Sequence, residues 1–257
     1  FYLFSAAITW IGEFLVLGLL DAYAYKPDLF HDPWAQNLLA HLLLNTTMFP
    51  AAATVMVAYS LRYGFIALVS IIFVLVEYLF VKLGLYEQHW WRYYMSAINA
   101  VAFMLIAGKW FYKMNRQRSG QTRATVFYFV ALIFVHTPTP LLLLLGKQHA
   151  QIGSIDRLVG NFYRSSTIIA FAYHLVVALI FVVFVCFLKK WYWKLMPFIF
   201  SISAICIFAK MNILVFDNGW KLSYTLLIQQ ILIAVFILME KYTLKPTEDH
   251  ANISEPL

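Results

Sequence analysis

Long apolar runs recur along the chain at roughly residues 1–21, 34–60, 64–82, 91–112, 124–146, 161–188, 195–211 and 220–240, with short polar loops between them. Each is close to the ~20 residues that a helix needs to cross the hydrocarbon of a bilayer. The pattern predicts an all-α integral membrane protein of about eight transmembrane helices. Run 161–188 exceeds the crossing length and is expected to tilt or project, while 195–211 is the shortest. Polar positions inside the runs follow helical spacing. Ser5, Thr9 and Glu13 recur at i, i+4, i+8, as do Asn37, His41 and Asn45, and Ser96 and Asn99 stand at i, i+3.

The order of residues around two of the loops repeats. Phe80-Val81-Lys82-Leu83-Gly84-Leu85 precedes Trp91-Arg92-Tyr93-Tyr94, and about 129 residues later Phe208-Ala209-Lys210-Met211-Asn212-Ile213 precedes Trp220-Lys221-Leu222-Ser223. An offset near half the chain predicts two tandem four-helix repeats. They would cover 1–112 and 124–245, joined by a basic linker at 113–123 and followed by a disordered polar tail at 246–257. An even number of spans per copy inserts both copies with the same, parallel orientation.

Composition agrees with a bilayer: 63% of residues are hydrophobic, 18% aromatic and only 12% charged. The formal net charge of +7 does not point to nucleic acid, because the basic residues gather between spans. With eight spans, Arg62, Lys109, Lys113, Arg116, Arg118, Arg123, Lys189, Lys190 and Lys194 fall on one side with no acidic residue among them. That side is expected to be cytoplasmic, with both termini. The opposite loops nearly balance Lys26, Lys82, Arg92, Lys147, Arg157, Lys210 and Lys221 against Asp21, Asp28, Asp32, Glu87, Asp156 and Asp217. Cys186 and Cys206 fall near opposite faces of the membrane, too far apart for a disulfide. The first run carries no basic leader and no small-residue cleavage site, so it is expected to be a transmembrane helix and not a signal peptide.

The stretch Tyr25-Lys26-Pro27-Asp28-Leu29-Phe30, then Asp32-Pro33, then a span with Asn45 and Phe49-Pro50, resembles an uncharacterised family of small multipass membrane proteins from spore-forming Firmicutes. Glu77-Tyr78, Gly84-Leu85-Tyr86 and Trp90-Trp91-Arg92-Tyr93-Tyr94 extend the resemblance over about residues 20–110. The second half departs from it: Ile205 stands near the counterpart of Glu77, and only Asp217-Asn218-Gly219-Trp220 keeps the pattern. The resemblance implies the fold and a bacterial cell membrane, and no mechanism.

Ionisable groups cost at least ~2.5 kcal/mol each in hydrocarbon on insertion scales, so their positions carry most of the functional information. Counted from the loop ends, Glu13, His41, Asn45, Glu77 and Asn99 all lie about 7–17 Å deep in the outer half of the membrane. In the second half of the chain, His136, Arg164 and Gln229 occupy the equivalent zone, and Pro138 and Pro140 are expected to interrupt the fifth helix there. These eight residues form the candidate ligand-binding set. Carboxylates in one half with a guanidinium and neutral amides in the other suit a small polar or zwitterionic ligand, or a lipid head group.

The leading expectation is a non-enzymatic protein that binds or passes such a ligand at an outer-leaflet cavity. One alternative is a structural or partner subunit whose polar groups join helices. Another is an intramembrane metal-dependent hydrolase with Glu13, His41 and Glu77 as ligands. Against the last, no HExxH helix occurs and the three residues sit on three spans. Glu13 and Glu77 could instead pair with Arg164 or Lys82. Expected partners are membrane lipids, the polar ligand, and either a second copy or another membrane protein; no cofactor and no nucleic acid are implied.

Overall fold

The computed structural model describes residues 1–116, 119–188 and 190–244. The predicted 246–257 tail, Arg118 and Lys189 lie outside the described residues. Eight helices among the described residues are long and apolar enough to span a bilayer: α1 Tyr2–Leu19, α2 Pro33–Ala58, α3 Tyr63–Lys82, α4 Tyr93–Arg116, α5 Gly120–Leu144, α6 Phe162–Phe187, α7 Trp191–Lys210 and α8 Leu222–Tyr242. They match the eight apolar runs. Of the predicted 113–123 linker, Lys113–Arg116 belongs to α4 and Gly120–Arg123 to α5.

Side chains fix the helix starts. The Asp32 carboxylate accepts from the Trp34 and Ala35 backbone N–H groups, with Pro33 as the first helical residue. Asn161 caps α6 by accepting from the Arg164 N–H, and Ser119 caps α5 through Thr122. Both α1 and α2 loosen from α to π geometry on the way, at Phe14–Leu19 and Leu44–Met48. Such π turns concentrate at functional sites.

The prolines of α5 break its hydrogen-bond ladder without ending its helical course. Thr137 keeps helical dihedrals (φ −53°, ψ −38°), and a second helical stretch, Pro138–Leu144, follows directly. The lost donors are those of the two prolines, and the Thr137 hydroxyl donates back to the Ile133 carbonyl at 2.8 Å. Thr139 and Pro140 are buried, so the interrupted stretch faces protein, as hydrocarbon could not satisfy the freed carbonyls.

Helix α5 is the centre of the bundle, with 67% of its spanning window buried against 17% for α3 and α7. Phe4, Trp10, Phe127, Phe171, Phe181 and Phe236 of α1, α5, α6 and α8 form the fully buried core. The α3–α4 and α7–α8 pairs pack on the outside. Their outward residues, such as Ile71, Leu75, Leu227 and Leu238, are apolar and exposed, as lipid contact requires.

Two short antiparallel ribbons close one end of the bundle. Strands β1 Tyr23–Tyr25 and β2 Tyr86–Gln88 pair with Tyr23 opposite Gln88; β3 Gln148–Ala150 and β4 Leu214–Phe216 pair with Gln148 opposite Phe216. Each second strand follows a turn through a left-handed residue, Gly84 (φ 72°) and Asn212 (φ 54°), the types that enter this region most readily. Several contacts around the ribbons come in pairs. The Lys26 N–H donates to the Leu85 carbonyl and the Gln151 N–H to that of Ile213, both at 2.8 Å. The Tyr25 N–H donates to Asn37 Oδ1 at 2.5 Å and the Ala150 N–H to Ser166 Oγ at 2.8 Å. Trp91 Nε1 donates to Ser96 Oγ, and Trp220 Nε1 to Thr225 Oγ1. Both ribbons lie at the same end, where Asn161 Nδ2 donates to Asp32 Oδ2 at 3.2 Å. At the other end Glu240 holds both Arg123 and Lys194.

Candidate functional site

Each ribbon roofs a cavity. The first, about 100 Å³, lies among α1, α2, α3 and α4 and contains Glu13, Glu77, Ser96 and Asn99 within walls of Tyr23, Tyr25, Phe73, Tyr86 and Trp91. The second, about 200 Å³, lies among α5, α6, α7 and α8, and its polar lining is Thr139, Gln148, Tyr173, His174, Ser201, Thr225 and Gln229. Among the described residues the first holds two carboxylates and no cationic side chain. The second holds neither a carboxylate nor a lysine or arginine.

The first cavity is assembled from both sides. Glu13 projects from the last α turn of α1, just before the π segment, and Glu77 from the mid-to-outer part of α3. Above them, the ribbon presents Tyr23 and Gln88 from directly opposed positions. The Tyr23 hydroxyl donates to Glu13 Oε2, and Gln88 Nε2 donates to Glu77 Oε1 at 2.7 Å. Burial, and after it the charge of Glu13, raises the Tyr23 phenol well above its ordinary range, so it acts as a fixed donor. Burial raises Tyr25 and Tyr86 in the same direction.

Neither carboxylate pairs with Arg164 or Lys82. Lys82 lies over the Tyr78 ring, 5.6 Å from its centroid. Arg164 clasps the end of α1: its Nε and Nη2 donate to the Gly18 and Leu19 carbonyls at 3.0 and 3.1 Å, its guanidinium is 3.7 Å from Asp21, and it stacks over Trp34. It neutralises the carbonyl end of that helix and ties the two halves together.

Between the cavities runs a buried polar seam. His41 Nε2 approaches Glu13 Oε2 to 3.3 Å, close enough for electrostatic contact but without hydrogen-bond geometry. Trp10 packs edge-on between His41 and His136, and His136 Nδ1 lies 3.2 Å from His174 Nδ1. Asn45 is fully buried in the π turn of α2, and its side-chain amide has no hydrogen-bond partner among the described residues.

The eight candidate residues thus distribute in space. Glu13, Glu77 and Asn99 meet in the first cavity, and Gln229 lines the second. His41, Asn45 and His136 lie in the seam, and Arg164 fastens its ribbon end. No three His, Cys, Asp or Glu side chains converge on a metal-ligating point among the described residues. The aromatic wall and Gln88 are not among the eight candidates, because they lie outside the polar positions of the spans. Trp90 is exposed as a belt residue should be, whereas its neighbour Trp91 turns to the cavity. Compared with known proteins, the chain matches no family model, no curated protein and no solved structure.

Proposed function

We propose that this multipass membrane protein binds or passes a small polar ligand or a lipid head group, and that the first cavity is the site. The observation that carries this reading is the pair of intramembrane carboxylates, Glu13 and Glu77, facing a cavity and each held by a donor from one cross-strand pair, Tyr23 and Gln88. Isolated carboxylates in hydrocarbon are expensive, and neither is part of an ion pair with lysine or arginine among the described residues. A bundle that needed them only for cohesion would pair them with cations or replace them with apolar side chains.

The halves are best read as tandem copies of one four-helix unit, inserted in parallel. The paired contacts around the ribbons support this, since Lys26 and Gln151, Asn37 and Ser166, and Ser96 and Thr225 make the same bonds at matched places. By charge, the end carrying Arg62, Arg116, Arg123, Lys190 and Lys194 is cytoplasmic, so the ribbons face outward from a bacterial cell membrane and both termini lie inside. On this alignment Ile205 replaces Glu77, so the copy fold does without the carboxylate and the first copy retains it for another reason.

Native mass spectrometry of the purified chain tests the proposal. A small molecule or lipid that stays bound to the wild type and is lost from Glu77→Gln supports it. A folded wild type that retains nothing, under conditions that preserve bound lipids on a control membrane protein, contradicts it.

A further inference from the structure

Resting on that reading, we infer that the first cavity recognises a small organic cation, an alkylated ammonium group, through an aromatic and carboxylate cage. Tyr23, Tyr86 and Trp91 form a continuous wall: ring centroids are 5.1 Å apart for Tyr23 and Tyr86 and 5.9 Å for Tyr23 and Trp91. Aromatic faces carry negative quadrupole density, and a desolvated cation set against several of them is attracted without needing a hydrogen bond. Glu13 and Glu77 add two carboxyl groups, which in their ionised form carry charge of the same sign.

Their bound partners sharpen the argument. Tyr23 and Gln88 are neutral donors, so they orient the carboxylates without cancelling their charge. No lysine, arginine or histidine lines the cavity among the described residues, and His41 touches Glu13 from outside the lining. Apart from protonation of the carboxyls themselves, a cationic guest is the compensation that a low-dielectric site leaves open.

Size and donor chemistry choose among cations. A hard metal ion requires about six oxygen ligands, and a primary ammonium has three donors to satisfy. The cavity wall is mostly aromatic carbon, which suits a group whose charge is spread over methyl carbons. Its volume, about 100 Å³, is of the order of the ~150 Å³ cavity that encloses benzene, so it admits a head group and not a whole lipid. The second cavity provides an internal contrast. On the tandem alignment its ribbon puts Gln148 and Phe216 where the first has Tyr23 and Gln88, with Ile205 at the place of Glu77, so the carboxylate and its donor disappear together.

Titration calorimetry of the full chain in a maltoside detergent, with choline chloride against its neutral isostere 3,3-dimethylbutan-1-ol, tests the assignment. Choline should bind at least about tenfold more tightly than the isostere, and Glu77→Gln should erase that preference, while Ser201→Ala in the second cavity leaves it intact. Should Glu77→Gln fail to fold, the wild-type comparison of the two probes decides alone. Nanodiscs separate the sources of the cation. Retention of phosphatidylcholine over phosphatidylglycerol with little response to free choline assigns the ammonium to a lipid head group, and the reverse assigns it to a solute. Equal binding of choline and the isostere overturns the cation assignment, as does a co-purified anionic or neutral molecule in the cavity; either result leaves the broader binding function standing. Absence of any binding overturns both.

Discussion

Tyr23 and Gln88 face each other across a ribbon of three residues per strand, and each donates a hydrogen bond to a different carboxylate inside the membrane. One cross-strand pair therefore sets the position of both acidic groups of the first cavity. Moving either strand by one residue would turn that strand's donor to the opposite face of the ribbon.

Removing the Tyr23 hydroxyl strips a buried carboxylate of its donor. Tyr23→Phe is expected to destabilise the protein by about 1–3 kcal/mol. The loss should shrink when Glu13 is already Gln, and a double-mutant cycle followed by chemical unfolding in detergent measures the difference. Additive losses would mean that the contact contributes nothing of its own.

Glu77→Gln tests a different relationship. The partner of Glu77 is the amide of Gln88, which can bond a neutral isostere nearly as well, so stability should change by less than about 1.5 kcal/mol. Loss of one member of a buried ion pair would instead cost about 3–5 kcal/mol. Thermal unfolding separates these outcomes.

That larger penalty belongs at the opposite end. Glu240 is buried, takes Lys194 Nζ at 2.8 Å and also receives Arg123, which reaches on to the Glu240 and Leu244 carbonyls. Glu240→Gln strands two cations and is expected to cost about 3 kcal/mol while leaving occupancy of the first cavity unchanged in the folded fraction. Unfolding and native mass spectrometry on one preparation give both numbers.

Topology is tested by cysteines introduced singly into a chain lacking Cys186 and Cys206. Cysteine at Glu87 or Val215, one on each ribbon, should react with an impermeant maleimide added to intact cells. Cysteine at Arg62 or Arg116 should react only after permeabilisation. The opposite pattern would invert the protein, and a split between Glu87 and Val215 would break the parallel arrangement.

The spans were legible because hydrocarbon enforces long apolar runs, and Glu13, Glu77 and Asn99 were legible as neighbours because polar groups at one depth stand out against that background. The roof was not. Strands of three residues carry too little alternation to register, so nothing in the pattern marks Tyr23, Tyr86 and Trp91 as one wall. Depth alone also cannot tell on which side of a helix two groups lie. That is why His41, His136 and Gln229, at similar depth, occupy the seam and the second cavity. Arg164 had a carbonyl partner that no charge pattern signals: the end of α1. Pro138 and Pro140 signalled a break that the helical backbone at Thr137 absorbs as lost hydrogen bonds alone.

The central claim is that Glu13 and Glu77 face an occupied ligand site in the first half. An experimental density map of the chain in lipid nanodiscs tests it most directly. The account predicts non-protein density within hydrogen-bond or van der Waals reach of both carboxylates and of the Tyr86 and Trp91 rings, absent from the same map of Glu77→Gln. Side chains packed into that space in the wild type, or density there that persists unchanged in the variant, would contradict it.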